Sequence, residues 1–411
     1  VGFDMNNNRV ETLADLLKRL IRGESPQECA SAFAGLLEKI SAVELAEAED
    51  KLIADGVAVD EIQRANQLHT DLVRHHIDNS FTESVRQEDL TEIPGHPACV
   101  FKGENSGLKA FMEDRLAQDF TIWQSDKSDD KRKNLLADAE ELAEIIKHYE
   151  RKENLMFPYL EKAGVTAPAQ VMWGVDDIIR DLQRALVNAL EQEPLLPRRV
   201  ELVYERLTSQ LESMIIKEND ILLPMLMNYM EMDDWILVAR ESSQIGYAFN
   251  KGIEGASNSD AMTWLNKQQE VDDRPHLFSE NTTIELPSGR LTPNQLTAML
   301  NTLPTDLTFI DKDDVVQYYS EGKHQVFKRT RTIIGRDVYL CHPPHLIPVI
   351  RELIRSFKNG ERDSKIVAVR RGGRLDLVRY YAVRDDHGKY IGTVEVTEEI
   401  SEIIEKVNRE S

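Results

Sequence analysis

The sequence predicts a multidomain protein: an all-α N-terminal domain, a four-helix bundle, and then a small α+β domain. Three observations carry this prediction. Apolar residues recur at helical spacing through the first 240 residues, without strand signals. Within that stretch, residues 94–235 hold four long amphipathic segments joined by short connections, the pattern of an up-down bundle. From residue 301 the pattern switches to period two, broken by Gly and Asp turns.

The elements follow in order. Residues 9–90 form the N-terminal helical domain, beginning with RVETLADLLKRLIRG, which stops at Gly23. SPQECASAFAGLLEKI opens with a Ser cap and a Pro in its first turn, and two further helical segments follow it. Residues 91–240 form the bundle. Its helices start at His96, Asp130, Pro168 and Pro197, and Gly164–Ala167 joins the second to the third. Residues 241–295 are rich in Ser, Asn, Gly and Asp and read as a linker. Residues 296–405 form the α+β domain. DLTFIDKDDVVQYYS is strand, turn, strand; HLIPVIRELIRSFKNG is a helix ending at Gly360. Three strands then join through Gly-Gly and His-Gly turns, with RRGGR (370–374) at a hairpin tip.

Composition narrows the function classes. A net charge of −22 opposes non-specific binding to nucleic acid or anionic lipid. The most apolar window, 221–239, carries Pro224, Glu231, Asp233 and Asp234, so no membrane insertion is expected. Cys29, Cys99 and Cys341 lie far apart, with no CxxC pattern. A reducing, cytoplasmic location is expected. RHHID, with His75 and His76, reads as a solvated helix end, and His69 lies just ahead of it. CHPPH (341–345) reads as a cap on the helix that follows.

Two stretches of the bundle look like copies: HYERKENLMFPYLEK (148–162) and SMIIKENDILLPMLMN (213–228). Aligned by Pro158 and Pro224, His148 matches Met214 and Lys152 matches Glu218. Residues four apart lie on one helix face, so each pair can reach the bundle centre. Glu153 stands five residues after His148, about 140° round the helix, and is expected to face elsewhere.

With its His96-Pro97 start and its prolines after each twin, this segment resembles the hemerythrin-like (HHE cation-binding) family. That family's two repeats each supply one early histidine and a later H-x-x-x-E pair. The resemblance implies a four-helix bundle with metal positions at His96, His148, Asp176 and Glu218, and with Lys152 and Met214 replacing two family ligands. Residues 16–69 resemble the uncharacterised helical domain found ahead of such bundles in bacterial proteins. Residues 303–400 resemble the PAS domain found with them.

Three readings of the bundle centre stand side by side. The four implied ligands hold one iron, zinc or manganese ion; two imidazoles and two carboxylates suit iron or manganese. A haem is held by His148, with Met214 or His96 opposite. Or the Lys152 ammonium lies near Glu218 or Asp176 and replaces a lost metal, since a buried Lys needs such partners. The function expected is that of a metal- or haem-binding sensor coupled to a PAS domain. Such a domain implies a small ligand or homodimerisation, and the signal would pass to an unidentified output partner. The alternative class is a haem- or iron-dependent enzyme, or a haem trafficking protein, handling oxygen, nitric oxide or peroxide.

Overall fold

The computed structural model of the chain describes residues 2–24, 42–59, 61–62, 89–268, 283–322, 325–371 and 373–410. It divides into two compact units, Val1–Val271 and Asp272–Ser411. Cys29, His69, His75 and His76 lie outside the described residues.

The first unit is helical. α1 (Gly2–Ile21) and α2 (Ala42–Ala54) pair through Leu13, Leu17, Leu20, Leu45 and Leu52. Val171 joins the same apolar cluster, which seats the pair on the bundle. Asp50 of α2 strengthens the join: its Oδ1 accepts the Thr166 hydroxyl at 2.9 Å and the Ala167 N–H at 2.8 Å. Those groups belong to the start of a bundle helix, where an acceptor satisfies an otherwise orphaned donor.

Four long helices make the bundle. α3 runs from Pro97–Phe111 through a π turn at Met112–Leu116 into Ala117–Ser125. α4 runs from Asp129–Glu141 through a 3₁₀ turn to Ile145–Arg151, then a π turn at Lys152–Met156 and Phe157–Lys162. α5 is Ala167–Glu191. α6 is Pro197–Lys217, a π turn at Glu218–Leu222, and Leu223–Tyr229. The π turns of α4 and α6 begin six residues ahead of Pro158 and Pro224. A proline offers no N–H to the carbonyl four residues back, and a widened turn is one way for a helix to continue past it. Phe101, Leu108, Leu142, Tyr149, Val175, Leu211 and Trp235 are among the side chains that fill the core between the helices.

The stretch read as a linker from residue 241 does more than link. α7 (Met232–Ile245) runs into it, and α8 (Asn258–Asn266) lies inside it. Ser257 and Asp260 form a reciprocal cap at the start of α8, and Trp264 enters the bundle core. The polar composition that suggested a linker belongs to the caps and turns, while Trp264 and Ala261 supply burial.

The second unit holds a β1–β2 hairpin (Ile284–Leu286, Gly289–Leu291) and α9 (Pro293–Thr302). Its main sheet is antiparallel, in the order β4-β3-β7-β6-β5. The strands are β3 (Asp306–Asp311), β4 (Val316–Tyr319), β5 (Ser364–Arg371), β6 (Arg374–Arg384) and β7 (Tyr390–Glu399). α10 (Ile347–Lys358) packs Ile354 against Ile310 and Val316, and α11 (Ser401–Glu410) follows β7. The β5–β6 register closes at Arg371 opposite Arg374, with Gly373 at φ +82° in the turn. His342 of the CHPPH run donates from Nδ1 to the Val338 carbonyl at 2.8 Å, back into the preceding turn.

The buried face of this sheet carries polar groups beside the apolar Ile310 and Val378. Asp306 and Thr308 of β3 and Thr393, Glu395 and Thr397 of β7 are buried, while Leu307, Phe309, Val394 and Val396 alternate with them on the half-exposed face. Arg329 bridges the buried carboxylates, pairing with Glu395 and lying 3.7 Å from Asp306.

Candidate functional site

The bundle centre holds a chain of buried ion pairs. Each of the four helices contributes. α3 supplies Glu104; α4 supplies His148, Arg151, Lys152 and Glu153; α5 supplies Asp176 and Arg180; α6 supplies Met214 and Glu218. The Lys152 ammonium lies 2.7 Å from Asp176 Oδ1, 2.5 Å from Glu218 Oε1 and 3.5 Å from Met214 Sδ. It also stands 4.2 Å from the centre of the Tyr149 ring, a cation–π contact. Lys152 and Asp176 are fully buried, and Glu218 is 1% exposed.

His148 links this group to a second one. Its Nε2 is 3.2 Å from Glu218 Oε2 and its Nδ1 is 2.8 Å from Glu104 Oε2. Phe101 stacks on the ring with centroids 4.0 Å apart and fixes its plane. Glu104 Oε2 also accepts from Arg151, and its Oε1 accepts the Ala248 N–H at 2.7 Å. Each ring nitrogen thus faces a carboxylate oxygen, one on Glu104 and one on Glu218. On the far side Arg180 pairs with Glu153 at 2.8 Å and Asp177 at 3.1 Å.

The electrostatics follow from burial set against pairing. Burial would raise the Glu218 carboxyl, but Lys152 and His148 outweigh it and hold the pKa down to about 2. Burial would lower Lys152, and Asp176 and Glu218 overcome that and raise it. Asp176 is raised, because burial exceeds the pull of Lys152 and Arg180. Glu153 is raised by burial to about 8 against the opposing pull of Arg180.

Of the residues expected at this site, His148, Asp176, Glu218 and Met214 come together. His96 does not. It caps α3, where its Nδ1 accepts the Ala98 N–H at 3.1 Å. Its ring sits between Trp235 and Trp264, at 5.0 and 4.9 Å. It stands eight residues before Glu104 on one helix, about 12 Å along the axis. Burial lowers its pKa to about 4, so the ring is neutral.

Comparison with known families places these features. Residues 96–226 match the family described as hemerythrin HHE cation binding domain. Residues 13–79 match a family of unknown function, DUF438, and residues 296–401 match a PAS domain family. The chain is a hemerythrin-like, DUF438 and PAS protein. It is also similar to a solved C-terminal domain from Streptococcus mutans, at 34% identity over 31% of this chain and 98% of that one, with a TM-score of 0.30. A sensory box sensor histidine kinase from Vibrio cholerae matches at 13% identity, over 26% of this chain and 90% of that one, with a TM-score of 0.21. The sensor region of a sensor histidine kinase matches at 16% identity, over 24% and 40%, with a TM-score of 0.19.

The hemerythrin-like bundle of this chain does not offer the donors that a metal or haem needs. A divalent ion would have to share Asp176 and Glu218 with an ammonium already within 2.7 Å of both, and like charges that close in a buried site repel strongly. His148 has no ring nitrogen left to ligate, because both face carboxylates. Met214 Sδ faces the same ammonium. Among the described residues, no group of three or more His, Cys, Asp and Glu side chains is arranged to hold a metal ion.

Sequence reasoning missed Glu104, Arg151 and Arg180. Glu104 was the most accessible of these. It lies three residues after Phe101 and four before Leu108, on the face that those apolar residues mark as buried. An acid on such a face needs a buried partner. Arg180 falls four residues after Asp176, the spacing of an intrahelical neighbour.

Proposed function

We propose that this chain is a signalling protein in which the PAS domain senses and the hemerythrin-like bundle carries an internal cation, the Lys152 ammonium, in place of a metal or haem. The observation that carries this reading is the placement of Lys152 Nζ between Asp176 Oδ1 and Glu218 Oε1. Two carboxylates at the bundle centre still hold a cation, and the chain itself supplies it. An iron or haem enzyme would need an open coordination position, and His148 and Met214 are both engaged. Metal and haem analysis of the freshly purified protein beside His148→Ala tests the reading. Sub-stoichiometric metal and no Soret band in either protein are expected. Stoichiometric iron or haem that disappears in His148→Ala would overturn it.

The sheet of the second unit favours self-association as the route of output. Leu307, Phe309, Val394 and Val396 share the half-exposed face with Tyr381 and Ile366, which are 37% and 57% exposed. An exposed apolar sheet face is a protein-interaction surface by default, and the homodimer fits it. Sedimentation of the full chain tests this. Ile366→Glu with Tyr381→Glu is expected to convert a dimer to a monomer. A monomeric wild-type chain at micromolar concentration would refute the dimer.

A further inference from the structure

The chain that leaves α7 does not run free. Residues 247–256 lie along α3 as a strap, and two glycines make room for it. A Cβ built on Gly107 would stand 1.7 Å from the Phe249 carbonyl oxygen, and one on Gly103 would stand 2.2 Å from Ala256 Cβ. At the start of α3, Gly95 donates its N–H to the Gly255 carbonyl at 2.7 Å. Asn250 is buried and ties the strap into a loop, donating to the Ala256 carbonyl at 2.9 Å and to Asn258 Oδ1 at 2.8 Å. Phe249 adopts φ +51°, uncommon for a residue with a side chain, and its ring lies 5.1 Å from Phe111.

Glu104 sits between Gly103 and Gly107 in sequence and touches both the strap and the buried cluster. One carboxylate oxygen holds the Ala248 N–H of the strap, and the other holds His148 and Arg151. Arg151 in turn lies over the ring of Tyr247, 4.7 Å from its centre. The strap is thus fastened from the inside by the group that balances the charge of the bundle centre.

We propose that Glu104 is a positioning residue that couples the ion-pair cluster of the bundle to the docking of strap 247–256, so that disturbing the cluster releases the strap. The two arrangements are a strap latched through the Ala248 N–H to Glu104 Oε1 and a strap lifted off α3, with Glu104 held by Arg151 and His148 alone. This coupling goes beyond the functional reading above and stands whether or not the PAS domain takes a ligand. It is reciprocal by linkage: what lifts the strap must also shift the cluster.

Hydrogen exchange on the full chain tests it from both sides. Lys152→Met touches no strap residue. It is expected to speed exchange of the Ala248 amide and its neighbours about ten- to a hundred-fold, the effect of losing a hydrogen bond to a charged group. Gly107→Ala touches no cluster residue, yet it should move the ring resonances of His148 in the NMR spectrum of the histidine-labelled protein. Arg184→Gln, which breaks an exposed pair with Asp181, should do neither. If Lys152→Met fails to melt cooperatively, the Gly107→Ala arm decides. An unmoved His148 ring in folded Gly107→Ala, or an unchanged strap in folded Lys152→Met, overturns the coupling.

Discussion

Replacing Lys152 by methionine keeps much of the side-chain length and removes one charge. Asp176 and Glu218 are then left facing each other with almost no exposure to water. Removing one partner of a buried ion pair costs about 3–5 kcal/mol. A second route gives a similar size. Holding Glu218 at about 2 rather than 4.5 corresponds to about 3 kcal/mol of native-state stabilisation at neutral pH, which Lys152 shares with His148 and which therefore bounds the Lys152 share from above. A unit of this size loses roughly 2–4 °C of melting temperature per kcal/mol, so a drop of about 6–20 °C is expected by circular dichroism at pH 7. The sign of the pH dependence is fixed too. A carboxylate held below its unfolded pKa contributes fully above pH 4.5, and that contribution fades as the pH falls towards 2. The variant lacks the ammonium that held Glu218 down, so the gap between wild type and variant should narrow below pH 4.5. A melting temperature within about 2 °C of wild type at pH 7, or a gap that widens in acid, would refute the placement of this ammonium.

Three further outcomes follow from the same structure. Wild-type melting should be unchanged by EDTA, whereas Lys152→Glu, which exchanges the ammonium for a carboxylate, should gain thermal stability on adding manganese or zinc; calorimetric titration of both proteins checks this. His96, held neutral with a pKa of about 4, should cost the native state about 3 kcal/mol as the pH falls from 6.5 to 4, because the unfolded chain takes up the proton first. His96→Asn keeps a capping acceptor and should flatten that part of the stability–pH curve in denaturant titrations. Arg329→Met leaves Asp306 and Glu395 without their shared cation and should lower the melting transition of the second unit by an amount typical of a broken buried pair, about 3–5 kcal/mol.

The bundle was legible because helical spacing, loop length and the two prolines all pointed the same way. The twin alignment also brought Lys152 opposite Glu218, which is where the ammonium and carboxylate meet. The failures have physical causes. His96 was given a ligand role by its position in the family pattern, but a histidine directly before Pro97 can serve as a cap, and two tryptophans distant in sequence enclose it. Glu104 meets His148 and Arg151, and Arg180 meets Glu153, only through tertiary contacts that no local pattern names. The β-sheet shows the limit most plainly. In DLTFID the period-two rule assigns Leu307 and Phe309 to the core, whereas Asp306 and Thr308 are the buried ones. Arg329, far away in sequence, makes that possible by bridging Asp306 and Glu395.

The π turns at Lys152–Met156 and Glu218–Leu222 amount to one surplus residue ahead of the twin proline in each half of the bundle, apart from the one at Met112–Leu116 in α3. A surplus residue advances the helix by about 100° relative to an unbroken α-helix. Everything after it, including Phe157 and Leu160 in one half and Leu223 and Leu226 in the other, faces the core only because that extra phase is present. Because both halves carry the same offset at the same distance from a proline, their phases agree with one another. Removing a residue from one turn alone would put the two halves out of step. Single-residue deletions in Lys-Glu-Asn are therefore far less tolerable than the ordinary composition of that tripeptide suggests.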